Sequence, residues 1–142
     1  MPYSKPGPIQ VTAYPWTNAQ IVALGAVTAG DLARVTLPAK TQVLDVVVVV
    51  KGQAAGTTTL TGAVGRVSAG YIDYVVASNL KVAANTVYGD ASAERGSNMT
   101  GYDIPSYTAA TAVKLHLIST VEDLSAVTGS SGLVIITTKQ LP

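Results

Sequence analysis

Hydrophobic positions are densest between Val43 and Lys51, where five consecutive valines follow Asp45. Because their side chains branch at Cβ, valines favour the extended backbone of a strand. A strand that is apolar on both faces is normally covered on both faces. The run therefore predicts a central strand from Thr41 to Lys51 that is packed on each side.

Alternation along this strand predicts which side chains share a face. One face is expected to consist of Leu44, Val46, Val48 and Val50. The opposite face is expected to consist of Val43, Val47 and Val49, with Asp45 and Lys51 at its solvated ends. Since a two-sheet protein buries only one face of each sheet in its core, we expect a neighbouring subunit to cover part of the other face.

Alternating apolar and polar residues predict further strands. They lie at residues 9–14, 20–27, 31–37, 57–67, 71–76, 111–120 and 132–140. Pro15 is expected to end the first of them. The glycine-containing segment 52–56 is expected to form a hairpin loop between the valine strand and the next strand. Ser78 is placed as the N-cap of one short helical turn that ends at Ala84.

The remaining segments carry no strand pattern. Residues 89–110 show no periodicity and predict a long loop, of a length that usually serves function or assembly. Residues 122–128 are expected to form a turn or a short helix. The proline-rich residues 1–8 predict an extended N-terminal arm.

Together these elements amount to seven or eight strands and one short helix. Strands and helices do not alternate, which argues against a parallel sheet. We therefore predict an all-β fold, an antiparallel β-sandwich that is jelly-roll-like in its topology. Residues 9–142 are expected to form one such domain.

Charge is scarce in this chain. Charged residues make up 12% of the sequence, where about 25% is typical of soluble domains. Permanent assemblies bury charge-poor surfaces between subunits, so the deficit favours a homo-oligomer. The net charge of +1 leaves no basic surface for nucleic acid.

The composition also bears on the compartment and on the bonds available. Cysteine is absent, so the chain has no disulfide and no thiolate metal site. The N-terminal residues lack the apolar segment of a secretory signal peptide. The longest apolar stretch is far shorter than the roughly 20 residues of a membrane helix. We expect synthesis in the cytoplasm and no membrane partner.

His116 is the one histidine and the strongest candidate for catalysis. A hydrolytic triad would combine it with a serine and with Asp103 or Asp123. The simpler interpretation, which we favour, is a solvent-side strand residue beside Lys114. We predict no enzyme activity and no catalytic residue.

Oxygen ligands for calcium are conceivable at Asp90, Glu94 and Asp103, but their spacing matches no EF-hand. No glycine-rich phosphate loop is present. We predict no metal site and no cofactor.

The aromatic residues are seven tyrosines and one tryptophan, with no phenylalanine. Tyrosine combines an apolar ring with a polar tip and suits interfaces. Tyr14 to Trp16 is expected either to anchor the arm on a neighbour or to plug one end of the sandwich. The residues predicted to contact a partner are Tyr3, Tyr14, Trp16, Val47, Val49, Tyr88, Arg95, Tyr102 and Tyr107.

Four stretches resemble small structural proteins of tailed bacteriophages, several of which are head decoration or cement proteins. They are Gly30–Ala39, the valine run with its threonine-rich return strand, Tyr71–Asp73 and Thr86–Gly89. The resemblance implies a β-sandwich that binds the shell of major capsid protein on the exterior of the virion, as a trimer. It carries no catalytic residue.

Three functions remain open at this level. The first is a non-enzymatic virion protein that decorates and stabilises the phage head. The second is a receptor- or carbohydrate-binding module of a phage tail fibre, with Trp16, Tyr102 and Tyr107 as stacking platforms for sugars. The third is a small hydrolase centred on His116.

Overall fold

A computed structural model describes residues 7–66, 70, 71, 73–97, 99 and 109–142. These residues form eight strands, one short α-helix and two 3-10 turns. The strands are β1 (Ile9–Trp16), β2 (Ala29–Leu37), β3 (Thr41–Gly52), β4 (Thr61–Gly65), β5 (Val75–Asn79), β6 (Val87–Tyr88), β7 (Thr111–Ile118) and β8 (Ser131–Gln140). Helix α1 is Asn18–Val22, and the 3-10 turns are Ser92–Glu94 and Leu124–Ala126.

The strands form two four-stranded sheets, in the orders β1-β8-β3-β6 and β2-β7-β4-β5. All six pairings are antiparallel. Successive strands from β1 to β4 alternate between the sheets, and β5 to β8 do the same after the β4–β5 pair. This order is that of an eight-stranded jelly roll, so the predicted fold class is confirmed.

The core lies between the inner faces of the two sheets. Alternate residues of the central strands point into it, because successive side chains of a strand leave on opposite faces. The contributors from β3, β7 and β8 are Val46, Val48, Val50, Val113, Leu115, Leu117, Val134 and Ile136, all buried.

A β-bulge changes the predicted face of one end of β3. Val43 pairs with Thr138 while Asp45 pairs with Thr137, so Leu44 is an extra residue on this strand. The bulge turns Val43 onto the core face, where it is fully buried, and leaves Leu44 half-buried. The assignment of Leu44 to the core face and of Val43 to the outer face was therefore wrong.

The predicted strand at residues 20–27 is also wrong, because this segment begins with α1. Thr17 caps the helix: its hydroxyl accepts a hydrogen bond from the Gln20 amide, and the Gln20 side chain accepts one from the Thr17 amide. This capping box stabilises the first turn. Burial of Ile21 then holds the helix against the core.

The short helix expected after Ser78 is not formed, since Ser78 lies within β5 and pairs with Gly62. Segment 52–56 is not a hairpin loop either, because β3 and β4 belong to different sheets. Alternation does not reveal which sheet a strand joins. Pro15 does not end β1, which continues to Trp16 as an edge strand, where proline is tolerated.

Candidate functional site

The outer face of the first sheet is apolar across all four of its strands. Strand registers place Ala13, Ile135 and Val47 in one row, and Pro15, Leu133, Val49 and Val87 in the next. We call these seven residues, together with Val11 beside Thr137, the outer face. Val11 is 67% exposed, and Val87 is also exposed, while Val47 and Val49 are half-buried by their neighbours in the sheet. Ile9, 62% exposed and in register with Lys139, continues the outer face along β1.

The other exposed large aliphatic residues form a second surface at one end of the sandwich. Ala29 pairs with Ile118, the Leu124 amide donates to the Val27 carbonyl at 2.8 Å, and α1 packs on the turn Leu124–Ala126. We call this the end surface; it consists of Val22, Val27, Ile118 and Val121. The described part of the chain therefore presents two separate apolar surfaces, rather than apolar residues scattered singly.

A polar cluster occupies the outer side of the second sheet. Asp31 on β2 pairs in register with His116 on β7, and Asp31 Oδ1 lies 2.6 Å from His116 Nδ1. The Tyr71 hydroxyl donates to Asp31 Oδ2 at 2.7 Å, and its ring stacks on the imidazole at 4.0 Å. Lys114 Nζ lies 3.9 Å from Asp31 Oδ2. The hydrogen bond to Asp31 raises the pKa of Tyr71 above its ordinary value.

The contacts of His116 differ from those that the triad hypothesis requires. Its carboxylate partner is Asp31, whereas Asp123 caps the turn Leu124–Ala126 and Asp103 lies outside the described residues. Among the described residues, no serine hydroxyl is hydrogen-bonded to His116. The structure therefore places His116 on the solvent side of its strand beside Lys114, as the simpler interpretation expected.

Glu94, one of the candidate calcium ligands, has another role in the structure. The Glu94 carboxylate accepts a hydrogen bond from the Gly89 amide at 2.8 Å, and Asp103 is not described. Within the described ranges, no group of three or more acidic or histidine side chains is arranged to hold a metal ion. None of the helical segments in these ranges has the length and hydropathy that a membrane span requires.

The predicted contact residues divide into three groups. Val47 and Val49 lie together on the outer face. Tyr3, Tyr102 and Tyr107 lie outside the described residues, so their contacts stay predictions. The other four residues, Tyr14, Trp16, Tyr88 and Arg95, are tied to the chain itself.

Trp16 is only 1% exposed, and its indole N–H donates to the Ser130 hydroxyl at 3.2 Å. The structure favours the interpretation of Trp16 as a plug, and its buried ring offers no platform for a sugar. Tyr14 packs against the core. Tyr88 donates to the Asn79 carbonyl at 2.7 Å, and burial raises its pKa.

Arg95 donates to the Gly89 carbonyl at 3.2 Å and its backbone bridges Val75. Its guanidinium is therefore hydrogen-bonded to the start of the segment that follows β6. Its contact with a partner stays a prediction.

Sequence reasoning missed most of the outer face. The run from Leu133 to Ile136 carried the same signal as the valines, since four consecutive apolar residues occupy both faces of a strand. The Asp31–His116 pair had no local signal, because 85 residues separate its members and only strand pairing joins them.

No protein-family model and no curated protein matches the sequence. Among solved structures, the chain is similar to a chain of the cyanophage Pam1 capsid asymmetric unit, with a TM-score of 0.56 and 18% sequence identity. The match covers 100% of this chain and 91% of that chain, so the two are of similar length. At this level of identity, the similarity shows a shared fold.

Proposed function

We propose that this chain is a non-enzymatic virion structural protein, a decoration or cement protein that self-associates and stabilises a phage head from outside. The observation that carries the proposal is the apolar outer face, which presents aliphatic side chains from all four strands of one sheet. Exposed apolar patches of this size on a soluble domain mark interaction sites. The similarity in fold to a chain of a cyanophage capsid supports the same function.

The two apolar surfaces match the physical task of a cement protein. Such a protein must contact both its own copies and the shell, so it needs more than one interface. Many weak contacts, repeated over a shell, add up to strong retention because each bound copy holds the next in place. A rigid jelly roll with few charges can supply contacts of this kind.

The copy number in this proposal follows from the resemblance to phage decoration proteins, which implies a trimer. Its proposed partners are other copies of this chain and the major capsid protein. Its proposed location is the capsid exterior, after synthesis in the host cytoplasm.

Cryo-electron microscopy of particles purified from the strain that encodes this chain tests the proposal. We expect density for the jelly roll on the outer surface of the head, at regular positions. Particles from a strain that lacks the gene should recover this density, and their resistance to heating, when the purified protein is added. Absence of the chain from the head exterior in both preparations would contradict the proposal.

A further inference from the structure

Along the outer side of β3 lie an acid, two aliphatic residues and a base: Asp45, Val47, Val49 and Lys51. Lys51 is an extra residue at a second bulge, because Val50 pairs with Gly132 and Gly52 with Ser131. Asp45 is half-buried beside Thr137. Lys51 is exposed at the other end of the strand, where its ammonium donates to Asn85 Oδ1 at 3.3 Å. The outer face is therefore bounded along this strand by charges of opposite sign. Reversing the strand direction exchanges the acid with the base and one valine with the other.

The neighbouring central strand has the same arrangement. The outer positions of β8 read hydroxyl, aliphatic, aliphatic, hydroxyl: Ser131, Leu133, Ile135 and Thr137. Val49 is in register with Leu133, and Val47 with Ile135. The two patterns are therefore centred on one line across the sheet, midway between these two rows.

We infer that the outer face is covered by the same face of a second copy of this chain, related by a two-fold axis along that line. The inference deepens the proposed function, because it names the partner of the same surface. In this arrangement Val47 lies opposite Val49 of the second copy, and Leu133 opposite its Ile135. Two-fold interfaces require this kind of self-complementary surface.

The charges select this axis. It places Asp45 opposite Lys51 of the second copy, and Lys51 opposite its Asp45, so the interface gains two symmetric pairs of opposite charge. A two-fold axis parallel to the strands would instead bring both acids to one end and both bases to the other. Like charges brought together across an interface oppose association, which disfavours that alternative.

The size of the outer face determines how tight the contact is. Three strands spaced about 4.8 Å apart, with four outer rows at a rise of about 3.3 Å per residue, and the single outer residue of β6 cover about 400 Å². Two copies would bury about 800 Å² in total, which is in the range of weak, transient contacts. We therefore expect a reversible dimer whose population rises with protein concentration. If a third surface closes the proposed trimer, the same two-fold contact pairs two trimers into a hexamer.

Charge exchange tests the pairing. We expect Asp45→Lys and Lys51→Asp each to weaken self-association at least about tenfold, because each creates two like-charge contacts. The double variant Asp45→Lys/Lys51→Asp should return to within a factor of about three of the original, since it restores both pairs with their signs reversed. Sedimentation velocity over a range of concentrations measures all three. Lys40→Asp is the control for Lys51→Asp, because it makes the same charge change in an exposed turn.

A second comparison assigns the contact to the outer face. Val47→Lys should abolish self-association, whereas Val121→Lys adds the same charge to the end surface and should leave the two-fold contact intact. Circular dichroism confirms that each variant is folded. A monomer at all concentrations, a double variant that is no better than the single ones, or loss of the dimer only in Val121→Lys would each overturn the inference.

These results are distinct from the test of the proposed function. A chain that stays monomeric in solution but occurs on phage heads refutes the two-fold contact and leaves the proposed function standing. A chain that dimerises through Val47 but is absent from heads does the reverse.

Discussion

The Glu122 carboxylate links two connections at one end of the sandwich. It accepts a hydrogen bond from the Thr58 amide at 2.5 Å and another from the Thr58 hydroxyl at 2.9 Å. Beside it, the hydroxyls of Thr59 and Thr120 lie 2.6 Å apart. The Thr58 amide, followed by its hydroxyl, lowers the pKa of Glu122 below its ordinary value. A single side chain therefore couples the segment before β4 to the segment after β7.

We expect Glu122 to make folding stability depend on pH. Because its pKa is lower in the folded chain, its contribution is fully present above the pKa of the unfolded state and is lost as the pH falls through the folded pKa. Thermal unfolding between about pH 7 and pH 3 should therefore show a smaller loss of stability for Glu122→Gln than for the unchanged chain.

Thr58→Val is the control for this prediction, since it removes the hydroxyl and keeps the amide donor. It should retain most of the pH dependence. Parallel pH profiles of the unchanged chain and Glu122→Gln would show that this carboxylate is not linked to folding.

At the scale of the element, β3 serves two interfaces at once. Its inner valines pack in the core, and Val47 and Val49 face outward on the same strand. The valine run alone predicted both covered faces, because its composition is apolar in either direction. It did not predict the bulge at Leu44, since the extra residue shows only when β3 is paired with β8.

Adjacent valines of β3 should therefore respond differently to the same truncation. Val48 is 2% exposed, so Val48→Ala should lower the free energy of unfolding by about 2 to 3 kcal/mol through lost burial and a residual cavity. Val49→Ala should cost less than about 1 kcal/mol, because the side chain faces outward. Urea unfolding measures both values.

The same pair also reports on association. Val49→Ala should weaken self-association in sedimentation velocity, although it leaves the fold intact. Equal losses of stability for the two variants would contradict the assignment of the faces.

At the scale of the whole molecule, the described exposed aliphatic side chains gather on two surfaces rather than around the sandwich. The outer face lies on the first sheet, and the end surface lies where β7 leaves the second sheet. The polar cluster of Asp31, His116 and Tyr71 lies on the opposite sheet from the outer face. The fold thus separates surfaces of different chemistry.

We expect the end surface to contact the shell in the proposed assembly, because the outer face is assigned to a second copy. Val121 is 67% exposed, so Val121→Lys should fold normally and dimerise, yet lose binding to heads that lack this protein. Co-sedimentation with such heads measures the loss. Ala77→Lys adds a lysine to an exposed strand residue elsewhere and should bind unchanged. Equal binding of both variants would show that the end surface does not contact the shell.

The all-β class, most of the strands and the apolar character of both faces of β3 could be predicted from the sequence, because they depend on side-chain spacing along one segment. The sheet to which each strand belongs and the bulge at Leu44 appear only in the folded chain. The same is true of the partnership of Asp31 with His116. These features depend on pairing between distant segments, where the free energy of burial and register outweighs local preference.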